Sequence, residues 1–232
     1  MLTKIFTDSE CKHGFTLAEV LITLVIVGIV AAMTIPTMVN NTNKEELRTG
    51  LLKAQTSLSG ALERYYALNG EKLIPANLSS RSLEPILIKY VPASKDCGFA
   101  NQHGSEVCAS VQGGLNNPYK TFSNGNNLSP EYLDDGQFIM NDGMTVLIEN
   151  HAYCFLSVDV NGYNKKPNRA GYDLFMFQIN ENGNLVPMGA EGTVFYSASN
   201  QYCSASSSSP YNGFGCTAKA LKEADYFKKL PK

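Results

Sequence analysis

Tryptophan is absent from this 232-residue chain, histidine occurs three times, and only 17% of the residues are charged. Scarce charge with a formal net value of −2 excludes a protein that coats nucleic acid by bulk electrostatics. A hydrophobic content of 44% equally excludes a chain too polar to fold. Enzyme signatures are missing too: there is no G-x-S-x-G, no P-loop and no H-E-x-x-H. Of the histidines, His13 lies near the N-terminus and His103 in a loop, while His151 precedes Cys154 by three positions. In an extended chain that spacing puts the two on opposite faces, so the chain is read as not an enzyme. Without a C-x2-C or H-x3-H pair, zinc is a poor reading of the cysteines.

Long apolar runs are confined to one place. Phe15 to Pro36 reads FTLAEVLITLVIVGIVAAMTIP, 22 residues whose only ionisable side chain is Glu19. As a helix it would extend about 33 Å, enough to cross the hydrocarbon core of a bilayer. A cleaved secretory signal fits poorly, since its apolar region runs to about 7–15 residues and ends at a small-x-small site. Here the run is longer, carries a carboxylate near its start and closes on Thr34-Ile35-Pro36. A lone carboxylate at membrane depth is costly, so Glu19 needs either the interface or a cation. Cleavage between Gly14 and Phe15 would supply one as a new α-amino group at Phe15, from the same chain or a neighbour.

Lys12-His13-Gly14-Phe15-Thr16-Leu17-Ala18-Glu19-Val20, followed by the apolar run and Pro36, resembles the N-terminal signature of type IV pilins and type II secretion pseudopilins. The resemblance covers residues 12–40 or so. It implies that residues 1–14 are a prepilin leader, cut after Gly14 by a prepilin peptidase that methylates Phe15. It also implies that Glu19 serves assembly, that the subunit meets copies of itself or other pilins and an inner-membrane assembly platform, and that the outer domain is pilin-like. The leader departs from the usual basic kind, since Lys4 and Lys12 are offset by Asp8 and Glu10.

The rest of the chain can be read from its periodicity. Leu47, Leu51, Ala54, Leu58, Leu62 and Tyr65 recur at spacings of four and three, one apolar stripe on a polar helix. Joined to the span, this predicts one helix from Thr16 to Asn69, kinked near Pro36 and stopped by Asn69-Gly70. Residues 15–36 are its transmembrane half and 37–69 its amphipathic half, with core packing favoured over a coiled coil. Residues 70–232 form the globular domain. There Ser79–Tyr90 reads as a short helix, and the segment around Cys97 and Cys108 as an irregular loop. Phe138 and Met140, Asn141-Asp142-Gly143, then Val146 and Ile148 make a hairpin signal. Tyr153–Val160, Asp173–Ile179 and Leu185–Met188 add strands, and Thr217–Lys229 a terminal helix. The expected fold is α+β: a long N-terminal helix on a four- to five-stranded antiparallel sheet with one apolar face.

Five cysteines follow the leader, and spacing favours Cys97 with Cys108 and Cys203 with Cys216, leaving Cys154 as a buried thiol; other pairings remain open. Paired cysteines place the domain outside the cytoplasm. Asp159, Asn161 and Asp173, with Asn164 and Asn168 between them, set oxygen ligands around a glycine turn, a pattern that suits calcium. Asn, Asp and Gly are equally the ordinary chemistry of a turn, so no cofactor and calcium both stay open, with the turn favoured. Lys219, Lys222, Lys228, Lys229 and Lys232 make a mildly basic tail, read as a solvated helix face and not as a nucleic-acid surface.

The functional expectation is a single-pass inner-membrane precursor, with its domain outside the cytoplasm, that polymerises through its N-terminal helix into a pilus or pseudopilus. Two alternatives use the same residues: a non-polymerising membrane protein with an outer ligand-binding domain, for which Glu19 has no use, and an adhesive or DNA-binding minor pilin.

Overall fold

The structure, a computed structural model, describes residues 14–100, 107–111, 117–151 and 153–231, with the side chains of 36–42 left aside. The chain divides into two units, residues 1–42 and 43–232. In the first, helix α1 (Leu17–Asn69) begins, and its stretch Leu17–Ile35 is long and apolar enough to cross a membrane. The kink expected at Pro36 falls in the segment whose side chains lie outside the described residues.

In the second unit, the remainder of α1 lays its stripe into the core. Leu47, Leu51, Ala54, Leu58, Ala61 and Leu62 are buried with Phe138, Val146, Ile148, Leu156, Val158, Phe175 and Phe177 of the sheet. Small residues let helix and sheet approach closely: a Cβ added at Gly50 would lie 3.0 Å from the Cβ of Val160. The stripe is thus covered within its own chain, which removes the coiled-coil alternative. Gly70 ends the helix with φ of 75°, its N–H donating to the Tyr66 carbonyl at 2.8 Å, a left-handed stop that glycine adopts without Cβ strain.

The sheet is a six-stranded antiparallel meander in the order β1 (Ala93–Gly98), β2 (Gly136–Met140), β3 (Thr145–Glu149), β4 (Phe155–Asp159), β5 (Leu174–Ile179) and β6 (Leu185–Pro187). The β2–β3 hairpin turns at Asn141-Asp142-Gly143, with Phe138 opposite Val146. One strand exceeds the expected four or five. β1, expected as irregular loop, is a mostly exposed edge whose pairing with β2 is interrupted by two register shifts, so it carries no alternating apolar signal. Its sequence, ASKDCG, has the lysine typical of a blunted edge.

The sheet is also buried on both faces, where one apolar face was expected. Leu147, Phe155, Leu174 and Met176 point away from α1 into a second cluster with Tyr119, Leu128, Leu133, Phe195 and Phe214. The cover on that side is loop, without periodicity to read. Two helices are shorter than expected. Helix α2 spans only Leu83–Leu87, followed by a 3-10 turn, because Arg81 takes φ of 62° and Asn150 Oδ1 accepts the Ser82 and Leu83 N–H groups at 2.9 Å each. Helix α3 spans Thr217–Lys222, and Glu223 in extended conformation separates it from the turn Tyr226–Lys229.

Candidate functional site

At the start of α1, Gly14, Phe15 and Thr16 precede the first helical residue. The Glu19 N–H donates to Thr16 Oγ1 at 3.2 Å, while Glu19 Oε2 accepts the Thr16 N–H at 2.8 Å and its hydroxyl at 2.7 Å. This reciprocal pair is a capping box, with Thr16 as N-cap and Glu19 three residues on. It satisfies donors that a helix end otherwise leaves open, and it turns the Glu19 carboxylate back to within one residue of the Phe15 backbone nitrogen. The T-x-x-E spacing that signals such a box is present in the sequence at Thr16 and Glu19. Gly14 has no steric reason in the fold, since a Cβ there would meet nothing within 4 Å. Phe15 is 89% exposed, and the apolar side chains of the following span are likewise exposed.

The second cluster lies in the β4–β5 connection. Asp159 ends β4 and is wholly buried; its Oδ2 accepts the Tyr119 hydroxyl at 3.0 Å, and the Asn161 and Gly162 N–H groups of its own turn also bear on the carboxylate. Across the ladder, the Val160 N–H donates to the Asp173 carbonyl at 2.9 Å. Asp173, also wholly buried, accepts the Asn168 N–H on Oδ2 at 2.8 Å and the Arg169 N–H on Oδ1 at 2.6 Å. Asn168 sits at φ of 53° and donates Nδ2 to the Tyr163 carbonyl at 2.9 Å, leaving its own buried Oδ1 unpartnered. Asn161 Oδ1 is in the same condition. Burial, and then the neighbouring Asp173 charge, holds Asp159 well above the usual carboxylate range. Burial pushes Asp173 up to about 6. The structure therefore brings Asp159, Asn161 and Asp173 into one loop and adds Asn168 and Tyr119, the latter 40 positions away and without a spacing to betray it.

The cysteines are distributed between core and edge. Cys97 on β1 is bridged to Cys108, and Cys203 to Cys216, while Cys154 is a buried free thiol whose ionisation burial pushes up to about 11. His151 Nδ1 lies 3.0 Å from Ser80 Oγ, whereas Cys154 Sγ lies 3.5 Å from Asn150 Nδ2, so these two residues serve different partners. His13 and His103 lie outside the described residues. Sequence reasoning missed a third group, Asp134, Asp135 and Glu149, each with a carboxylate oxygen within 4.8 Å of the others. Its members are already engaged: Asp135 takes Arg81 Nε at 2.7 Å and the Asn150 N–H at 3.0 Å, and Glu149 takes the His151 N–H at 3.0 Å. That group anchors the start of α2. In the basic tail, Lys229 is paired with Asp225 at 2.5 Å, four residues away, as on a solvated surface.

Comparison with known proteins bears on the N-terminal segment first. A family profile described as the prokaryotic N-terminal methylation motif matches residues 11–35. The type II secretion system core protein G of Klebsiella pneumoniae is 32% identical over 84 residues, covering 34% of this chain and 59% of that protein. The type IV major pilin protein PilE of Neisseria gonorrhoeae is 30% identical over 106 residues, covering 44% of this chain and 63% of the pilin. The chain thus spans about three-fifths of the length of these curated relatives. No solved structure matches.

Proposed function

From the N-terminal methylation motif and the similarity to a type II secretion core protein G and a type IV major pilin, we propose that the chain is a pilus or pseudopilus subunit of the type IV pilin and pseudopilin family, matured after Gly14 and polymerised through α1. The observation that carries this reading is the Leu17–Ile35 helix, apolar on all sides, with one carboxylate held by a capping box at its first turn. In a membrane those side chains face lipid. In a filament, other copies of the helix replace the lipid, which supplies packing but no partner for a charge. Cutting after Gly14 creates an α-amino group one residue before Thr16, and the capping box presents the Glu19 carboxylate at that depth. Charge pairing then accompanies every subunit added. The partners in this reading are a prepilin peptidase, an inner-membrane assembly platform and further pilins or pseudopilins, with the domain outside the cytoplasm, where its two bridges persist.

Intact-mass measurement of the protein from its native membrane tests the maturation step: the first fourteen residues should be gone and one methyl group gained. Glu19→Ala should leave membrane insertion intact and reduce incorporation into filaments sheared from cells. A mature chain that begins elsewhere, or equal incorporation of Glu19→Ala and wild type, would overturn the proposal.

A further inference from the structure

We propose that the cleft where β4 begins and β5 ends binds a neutral saccharide, with Tyr153 as the stacking platform and Gln178 and Asn180 as hydrogen-bond donors. The cleft has a volume of about 460 Å³, within the range of roughly 300–1,000 Å³ usual for small-molecule sites. Pro75, Tyr153, Gln178, Asn180, Glu181 and Asn182 are among the residues that line it. The ladder gathers them: the Ile179 N–H donates to the Cys154 carbonyl at 2.9 Å, which sets residues 153–154 alongside 179–180.

Two amides in this cleft are held by one end only. Gln178 Oε1 accepts the Val194 N–H at 3.0 Å, and Asn180 Oδ1 accepts the Asn182 and Asn184 N–H groups at 3.0 and 2.9 Å. A backbone N–H can be met only by the amide oxygen, so each side chain is oriented with its NH2 group as the free end. Neither Gln178 Nε2 nor Asn180 Nδ2 donates to another group among the described residues. Tyr153 is 40% exposed although its ring stacks on buried Phe155, with centroids 5.1 Å and planes 5° apart. One face of the ring is thus backed by the core, and the other is open to a ligand.

This combination selects the ligand class. Oriented neutral NH2 donors suit hydroxyl oxygens, the exposed Glu181 carboxylate suits hydroxyl hydrogens, and a flat aromatic face suits the apolar C–H face of a sugar ring. An anion is disfavoured, because Glu181 repels it and none of the described lining residues is Lys or Arg. A purely apolar ligand would leave both amides desolvated and unpaired. Since the amides are already held by backbone groups, binding costs little side-chain order. The inference is independent of polymerisation, since it concerns the folded domain alone.

The test uses the full-length protein in an amine-oxide detergent, because alkyl maltosides carry the ligand class themselves. Saturation-transfer NMR is recorded with glucose, galactose, mannose, N-acetylglucosamine, lactose and cellobiose at millimolar concentrations, and with sialic acid as the charged probe. At least one neutral saccharide should receive saturation, strongest on the C–H protons of one ring face. Tyr153→Ala should abolish the transfer and Tyr153→Phe should keep it, whereas Tyr66→Ala, which removes a tyrosine 45% exposed on α1, should change nothing. Asn180→Asp keeps the oxygen that holds Asn182 and Asn184 and removes only the free donor, so it should weaken the sugar about fivefold with Tm near that of wild type. A merely structural role would give the reverse, a lowered Tm at unchanged affinity. Should Tyr153→Ala fail to fold, Asn180→Asp decides. No saturation of any neutral saccharide, transfer to sialic acid alone, or affinity unchanged in a folded Tyr153→Ala or in Asn180→Asp would overturn the site.

Discussion

Leu58→Ala is the most direct probe of whether the amphipathic half of α1 belongs to the core of the domain. Leu58 is 0% exposed and lies in the cluster that holds Phe138, Ile148, Phe175 and Phe177. Truncation removes three carbon atoms and leaves a cavity between helix and sheet. Neither side can close it readily, because the ladder fixes one wall and Ala54 and Ala61 already hold the helix close. Leucine-to-alanine changes at such sites cost about 2.7–5.0 kcal/mol, and about 3 kcal/mol lowers the folding equilibrium roughly 100-fold. Leu52, on the same helix but 48% exposed, provides the control: Leu52→Ala should stay within about 0.5 kcal/mol of wild type. Urea titration in detergent, followed through tyrosine emission since the chain has 12 Tyr and no Trp, reads the difference. With a slope near 2 kcal/mol/M, Leu58→Ala should lower the midpoint by about 1.5 M. Equal midpoints for the two variants would refute the packing assignment and restore a free helix available for coiled-coil pairing.

Three further outcomes follow from the same structure. Replacing Cys203 and Cys216 together by Ala opens a bridge between positions 13 apart and should cost about 3 kcal/mol by the loss of loop restriction, seen as a lower urea midpoint that reductant no longer shifts. Gly213→Ala should cost more than Gly192→Ala in a thermal melt: Gly213 has φ of 118° and its added Cβ would lie 2.4 Å from the Ala170 Cβ, whereas Gly192, at φ of 86°, faces open space. Burial, then the charge of Asp96 and a hydrogen bond with it, raises Glu84 from 4.5 to about 7. A raised folded-state value favours the fold fully below pH 4.5, and that contribution is lost as pH climbs toward 7, so Glu84→Gln should flatten the decline of wild-type stability between those limits; parallel pH profiles would contradict this.

What the sequence by itself determined was local. The Phe15–Pro36 run, the i, i+3 and i+4 stripe from Leu47 to Tyr65, the Asn69-Gly70 stop and the Asn141-Asp142-Gly143 turn each act over a few residues, so their spacing is the physical signal. The same holds for the methylation motif, which occupies one contiguous stretch. Tertiary structure decided the rest. β1 is a strand because its backbone finds β2, and Gln137 holds the backbone of Ala109 through both side-chain atoms, 28 positions away. Tyr119 reaches Asp159 across 40 positions, and Arg81 reaches Asp135 across 54. Only the folded chain could separate an ordinary Asn-Asp-Gly connection from one with unpaired buried oxygens, because both have the same composition. Burial and partner count belong to the packed environment, whereas period and turn chemistry belong to the chain, and this is why the helix and hairpin were legible and the loop's chemistry was not.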